Sequence, residues 1–357
     1  MSSDKPLKWG ITTGSCATLA AKAAAILLLK GERVAEIDIP LPDGSRLTQP
    51  ISALSTAGVS ATATVVKDAG DDPDVTHGTN VVVTVKRNQC NEIRFFAGVG
   101  VGTVRRAGLA IPPGEAAINP GPRRMIRAAL AEVAECGFDV TVAVPAGVEL
   151  AEKTFNPRLG IEGGISILGT SGRVRPFSAP ALREGLKCAL DVAVAAKIQN
   201  LVLVPGNMGN KAAQHYFSVI REQIVDVSNE WGFMLGEVEK HPFGQLLIVG
   251  HPGKLAKLAR GQWQTHSAQS DSAVPYASEL AAKIVSTPLP EANTVEELFM
   301  DFLDESQRNQ LGDCIAAEIR QKIEQKYPQL PAIAVVLINL KRQIIGRAGD
   351  FNVWRKR

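Results

Sequence analysis

From about residue 140 onward the chain alternates short apolar segments with glycine-rich loops and helical stretches, and this rhythm restricts the fold more than any other feature. Apolar strands are expected at 140–144, 164–168, 200–204 and 245–249, with helices at 181–197 and 255–260. Strands that alternate with helices need crossover connections, so the second part reads as an α/β domain on a doubly wound, mostly parallel sheet. Further helices are expected at 274–285, 295–303 and 310–325, and a last strand near 332–339.

The first part is patterned differently. Residues 15–30, SCATLAAKAAAILLLK, are rich in strong helix formers, and Gly31 just past them suits a C′ cap. Thr12, Thr13 and Ser15 put small hydroxyls where a helix start needs capping. Strand-like segments follow at 35–41, 59–66, 81–87 and 92–96. Small apolar residues alternate with Ser60, Thr62 and Thr64 in the second of them. A second helix is expected at 122–136, between Pro122 and Gly137. The expected organisation is therefore an α+β domain over 1–150 followed by the α/β domain over 151–357.

Composition excludes several classes. The 357 residues are 45% hydrophobic and 21% charged, which is the make-up of a compact domain and not of a disordered chain. A net charge of +3 is too small to predict nucleic-acid binding. Cys16, Cys90, Cys136, Cys188 and Cys314 are scattered without a C-x-x-C pair. Neither a disulfide framework nor structural zinc is expected, and a cytoplasmic location is. The opening MSSDKPLKWG has no apolar stretch of a secretory signal. The uncharged window 47–66 carries seven Ser/Thr residues with Gln49 and Pro50, unsuited to hydrocarbon, so no membrane association is expected.

Three strand ends carry glycine-rich loops: GTSG at 169–172, PGNMGN at 205–210 and GHPGK at 250–254. In an open parallel sheet ligands bind beyond the carboxyl ends of the strands. One such loop alone reads as an ordinary tight turn; three favour a nucleoside-like ligand. None is a phosphate-binding Walker sequence. The TTGSC helix start is either an anion site or a plain cap. Arg123, Arg124 and Arg127 follow Asn119 at a helix start, against the dipole, which points to carboxylate recognition, with a solvated charged face as the alternative. Arg105, Arg106, Lys153, Arg158, Arg173 and Arg175 extend the basic surface if the fold gathers them. The acidic run 67–78 fails the calcium-loop template; Asp72 and His77 in it are the weak candidates for a base, with a solvated turn as the alternative. The five histidines lack metal-binding spacing, so no protein-bound metal is expected. Cys16 is a packing residue whose place at a helix start favours a lowered pKa.

Six segments in order, TTGSCA (12–17), KDAGDDPDVTHG (67–78), INPGPRRMI (118–126), KTFNPRLGIEGGISILGTSG (153–172), PGNMGN (205–210) and GHPGKLAKLARG (250–261), closely resemble the cobalt-precorrin-5B C(1)-methyltransferase family of anaerobic cobalamin biosynthesis. The resemblance covers about residues 9–266 and weakens beyond; Ser171 stands where a second Thr is expected. It implies methyl transfer from S-adenosyl-L-methionine to carbon 1 of a cobalt-containing corrin precursor. On that basis Gly169, Thr170, Ser171, Gly172, Gly206 and Asn207 are expected at the donor. Thr13, Ser15, Asn119, Arg123, Arg124, Thr154 and Asn156 are expected at the corrinoid. The partners expected are the small-molecule corrinoid, further copies of the chain and, transiently, other cobalamin-pathway enzymes. A nucleotide-dependent phosphotransferase and a non-catalytic tetrapyrrole carrier are the alternatives.

Overall fold

The computed structural model describes residues 7–285 and 287–356 as a mixed α/β protein, and the chain divides into two compact units, Met1–Ala179 and Pro180–Arg357. The division falls well past the expected boundary at 150. The reason is backbone pairing: Gly164–Ile165 pairs in parallel with Gly100–Val101, Ile161–Glu162 antiparallel with Thr103–Val104, and Arg173–Val174 antiparallel with Gly10–Ile11. Residues 151–179 are thereby tied into the first unit.

The first unit is built around helix α1 (Thr13–Lys30). Thr12 caps it through its side-chain oxygen, which accepts from Ser15 N, and Gly31 ends it at φ +72° with its N–H on Leu27 O. By length and apolarity α1 could cross a membrane, but 78% of that stretch is buried, as in a core helix. It packs on β2 (Ser60–Val66) and β3 (Asn80–Arg87), next to helix α2 (Pro120–Ala131). With β1 (Ala53–Ala57), β4 (Ile93–Ala97) and β5 (Phe138–Ala143), these strands form a sheet in the order β1-β2-β3-β5-β4. All neighbours are antiparallel except β5 and β4. The period of two is plain: Ala61, Ala63, Val65, Val81, Val83, Val85, Val140 and Val142 point inward, while Thr62 and Thr84 pair their hydroxyls across the sheet. The uncharged window 47–66 thus holds strands and no helix.

In the second unit, α3 (Ala179–Ala195) leads into β6 (Asn200–Val204), α4 (Asn207–Tyr216), β7 (Ile224–Asp226), α5 (Trp231–Val238), β8 (Gln245–Gly250) and α6 (Pro252–Ala259). Helices α7 (Val274–Ala282), α8 (Val295–Asp301) and α9 (Glu305–Lys326) follow, then β9 (Ala332–Ile338) and β10 (Ile344–Ala348). The sheet order is β7-β6-β8-β9-β10, parallel except for β10. Its strands are near-continuous apolar runs because both faces are covered. Leu201, Leu203, Leu246, Ile248, Val335 and Leu337 enter the larger core with α3 and α5–α9. Val202, Val204, Leu247, Val249, Val336 and Ile338 enter a smaller one with Ala212 and Ala213 of α4 and Trp354.

Candidate active site

Three of the conspicuous segments meet in the first unit. The 169–172 turn lies over the start of α1: Gly14 N donates to Leu168 O (2.8 Å), Thr12 N to Gly172 O (3.2 Å) and the Ser15 hydroxyl to Gly172 O (2.6 Å). The start of α2 closes the group, since a methyl at Gly121 would lie 2.6 Å from Gly169 O and one at Gly14 2.6 Å from Pro122 Cγ. Gly169 itself is at φ +135° against Thr12, where no side chain fits. GTSG therefore sits with the arginine-bearing helix start and not at a strand end of the second unit's sheet, as expected from sequence. Gly121→Ala should push the turn off the helix start and lower stability by about 1–3 kcal/mol, read as a shifted denaturant midpoint.

Beside this junction a cavity of about 290 Å³ is lined by Ala110, Ile111, Pro112, Pro120, Arg123, Arg124 and Arg127. The three arginines play different parts. Arg123 is committed inward: its Nε donates to Ile118 O (2.7 Å), Nη2 to Ala116 O (3.1 Å) and Nη1 to Glu115 (2.7 Å). Arg127 lies over the Phe95 ring at 4.8 Å, with Arg123 over the same ring at 5.4 Å. Arg124 is exposed and makes no hydrogen bond or ion pair among the described residues. Asn119, the N-cap residue of α2, makes no side-chain capping bond. From sequence Arg127 reads with the other two arginines as a carboxylate-recognition candidate but is not placed among the corrinoid residues; its i+4 spacing from Arg123 puts it on the same helix face.

Other expected site residues serve the fold. Ser15 is fully buried and Thr13 nearly so, and both spend their hydroxyls on the backbone of 168–172. With Gly14 N, Ser15 N and Cys16 N already bonded to Leu168 O, Thr12 Oγ1 and Thr12 O, this helix start is not an open anion site. Asn156 is buried, donating to Gly164 O and accepting from Ser166; Thr154 caps its own turn through Ala151 O and Asn156 N. Burial pushes the Cys16 thiol up to about 12, the reverse of the lowering expected for a helix start. In the acidic run, Asp68 holds Lys8 and Gly70 N, Asp71 holds Lys8 N, Asp72 accepts from Phe177 N (3.0 Å) and Asp74 holds Lys67. His77 Nδ1 accepts from Ala69 N. Asp72 and His77 therefore act as backbone clasps.

Gly206 and Asn207 belong to the second unit. Chain order runs β6, then β7 on one side, then β8 on the other, so the sheet reverses direction between β6 and β8. The helix after β6 covers one face and the helix after β8 the other, the topology at which open α/β sheets have their ligand crevice, beyond those two carboxyl ends. Pro205 and Gly206 lead into it at φ +144° for Gly206, with open space where a Cβ would stand. Four of the six residues of the expected PGNMGN loop, Asn207 to Asn210, are already the first turn of α4. Across the crevice His251 caps α6, its Nδ1 accepting from Gly253 N while Nε2 contacts Glu296 at 2.9 Å. Burial lowers the Lys254 pKa, with Asp226 opposing that shift. Among the described residues no cluster of three or more metal-ligating side chains occurs.

A mixed α/β chain with an arginine-lined cavity in one unit and a strand-end crevice in the other has the make-up of an enzyme for anionic small molecules. Comparison with known proteins narrows this class. Residues 1–176 match the CbiD family model. A Syntrophotalea carbinolica protein named cobalt-precorrin-5B C(1)-methyltransferase is 48% identical over 98% of this chain and 99% of its own length. A Moorella thermoacetica protein of the same name is 41% identical over 96% and 95%. The crystal structure of the cobalamin biosynthesis protein from Archaeoglobus fulgidus aligns at 30% identity over 69% of this chain and 78% of that one, with a TM-score of 0.38. The chain belongs to the CbiD family of cobalt-precorrin-5B C(1)-methyltransferases. The alignment with the Syntrophotalea carbinolica protein extends over 98% of the chain and so past His266.

Proposed function

We propose that this chain transfers a methyl group from S-adenosyl-L-methionine to carbon 1 of cobalt-precorrin-5B, giving cobalt-precorrin-6A in anaerobic cobalamin biosynthesis. Beyond family membership, the observation that carries this reading is the arginine-lined cavity beside the joined starts of α1 and α2. Its size suits the carboxylate arms of a corrinoid, and a guanidinium meets a carboxylate with paired donors. Asn119, Arg124, Arg127 and Thr170 hold the corrinoid; Thr13, Ser15, Arg123, Thr154 and Asn156 hold the residues that do so.

The second unit reads as a doubly wound domain that takes the donor. The open space at Gly206 and the exposed first turn of α4 at Asn207 fit a nucleoside approaching the backbone closely. When bound, S-adenosyl-L-methionine supplies an electrophilic methyl on its sulfonium. The chain's own contribution is to hold and align its ligands, which is where such a transfer gains most of its rate. No protein nucleophile is required. Five free cysteines suit a reducing cytoplasm.

The test is incubation with methyl-labelled donor and cobalt-precorrin-5B. Label in the ring is expected. An unlabelled ring in the presence of a bound corrinoid would make the chain a carrier and overturn the reading.

A further inference from the structure

We propose that Trp9 and Phe177 form an aromatic platform that receives the face of the corrin ring, an inference that rests on reading the arginine-lined cavity as the place of its carboxylate arms. The argument begins with exposure. Phe177 is 72% exposed and Trp9 54%, and Leu7, two residues before Trp9, is exposed as well. Single apolar residues on a surface are ordinary, whereas two aromatic rings and a leucine gathered on one segment mark a contact surface.

The acidic run gathers them. Trp9 pairs with Gly70; Asp71 N donates to Lys8 O at 3.0 Å and Lys8 N to Asp71 Oδ2 at 2.6 Å; Phe177 N donates to Asp72 Oδ1 at 3.0 Å. Residues 70–72 thus bracket both aromatic segments, which gives the Asp72 clasp a purpose: it positions Phe177. Phe177 is moreover held at φ +55°, a region that a bulky side chain rarely adopts. Strain of that kind persists only where the surroundings impose it, and it concentrates at ligand sites. Here it gains no burial in return, since the ring stands in solvent.

Position and charge select the occupant. Gly10–Ile11 pairs with Arg173–Val174, and this short ladder runs directly into Thr12 and Gly172 at the joined starts of α1 and α2. Trp9 is three residues from Thr12. At most about 11 Å of extended chain therefore separates it from the junction beside the arginine cavity. Arg175, exposed and without a hydrogen bond or ion pair among the described residues, stands between Val174 and Phe177. A corrin precursor has a broad conjugated face and an edge of carboxylate arms. Aromatic side chains offer contact area to such a face, and guanidinium groups offer paired donors to such arms.

The experiment is calorimetric titration of the full chain with cobalt-precorrin-5B and, separately, with S-adenosylhomocysteine. Phe177→Gly removes the ring and suits a backbone at positive φ, so the thermal midpoint should hold or rise. Its corrinoid affinity should fall by about tenfold or more. Trp9→Ala should lose a similar factor, and Phe177→Tyr, which keeps the ring, should stay within about threefold of wild type. Donor affinity should be unchanged in all three. Added salt should leave these losses in place, although it narrows the loss caused by Arg124→Ala. Wild-type corrinoid affinity in Phe177→Gly overturns the platform, whatever Trp9→Ala does, and leaves the proposed function standing. A loss that salt abolishes, or one shared equally by the donor, overturns it too. Variants that only break a dimer would make the patch a face between copies and would likewise end the proposal. Failure of the wild type to bind the corrinoid overturns the reading of the cavity itself.

Discussion

Arg124→Ala is expected to weaken corrinoid binding by about ten- to a hundredfold while leaving the thermal midpoint unchanged. Arg123→Ala, one residue away, is expected to do something different: to lower the stability of the first unit by about 2–4 kcal/mol. The contrast follows from where the two guanidinium groups point. Arg123 donates to Ile118 O and Ala116 O, whose residues are buried, and to Glu115, so its removal strands acceptors that water reaches poorly. Arg124 has no such partners among the described residues and lines the cavity with its group exposed. Removing Arg127 as well should raise the loss of corrinoid affinity to roughly a hundredfold or more, short of full additivity because both arginines serve one site. Donor affinity should stay at the wild-type level in each case, and added salt should narrow the gap between wild type and Arg124→Ala. Separate titrations with corrinoid and donor decide it: an Arg124→Ala protein with wild-type corrinoid affinity would remove the cavity from the substrate site.

That pair also shows what sequence could and could not disclose. Cations at a helix start signalled carboxylate chemistry, but only the fold tells which of two adjacent arginines faces a carbonyl and which faces solvent. The same holds for hydroxyls: Thr13 and Ser15 stood at a helix start that invited an anion, yet the chain's own Leu168 and Gly172 carbonyls fill it. Local signals did well. The strand expected at 200–204 is Asn200–Val204, and the helix expected at 15–30 gained only Thr13 and Gly14 in front of Ser15. The allegiance of residues 151–179 was hidden because two-residue strands carry no period, and their partners at 10–11 and 100–104 are remote in sequence.

The second large effect lies in the clasp built from the acidic run. Lys67 has 1% of its side chain exposed and donates to Asp74 Oδ2 at 2.6 Å, while Asp74, 26% exposed, also accepts from Thr76 N and Thr76 Oγ1. Asp74→Asn leaves a buried ammonium without its counter-charge and should cost about 3–5 kcal/mol. Lys67→Met should cost less, because the carboxylate left behind keeps both Thr76 donors and some solvent. The double variant should recover much of what Asp74→Asn loses, a coupling that a double-mutant cycle measures directly. The pH dependence has a definite sign. Burial pushes the Asp74 carboxyl upward, but the Lys67 charge and the hydrogen bonds outweigh it and hold the group below its ordinary value. Its stabilisation is therefore complete above the unfolded carboxyl range, near pH 4, and is lost as pH falls through the lower folded value. Asp74→Asn should remove that part of the acid sensitivity along with the stability, so the gap between the two proteins should narrow as pH drops. A gap that stays constant down to strong acid would show that the ammonium, once orphaned, finds water after all, and that the clasp holds by packing and not by charge.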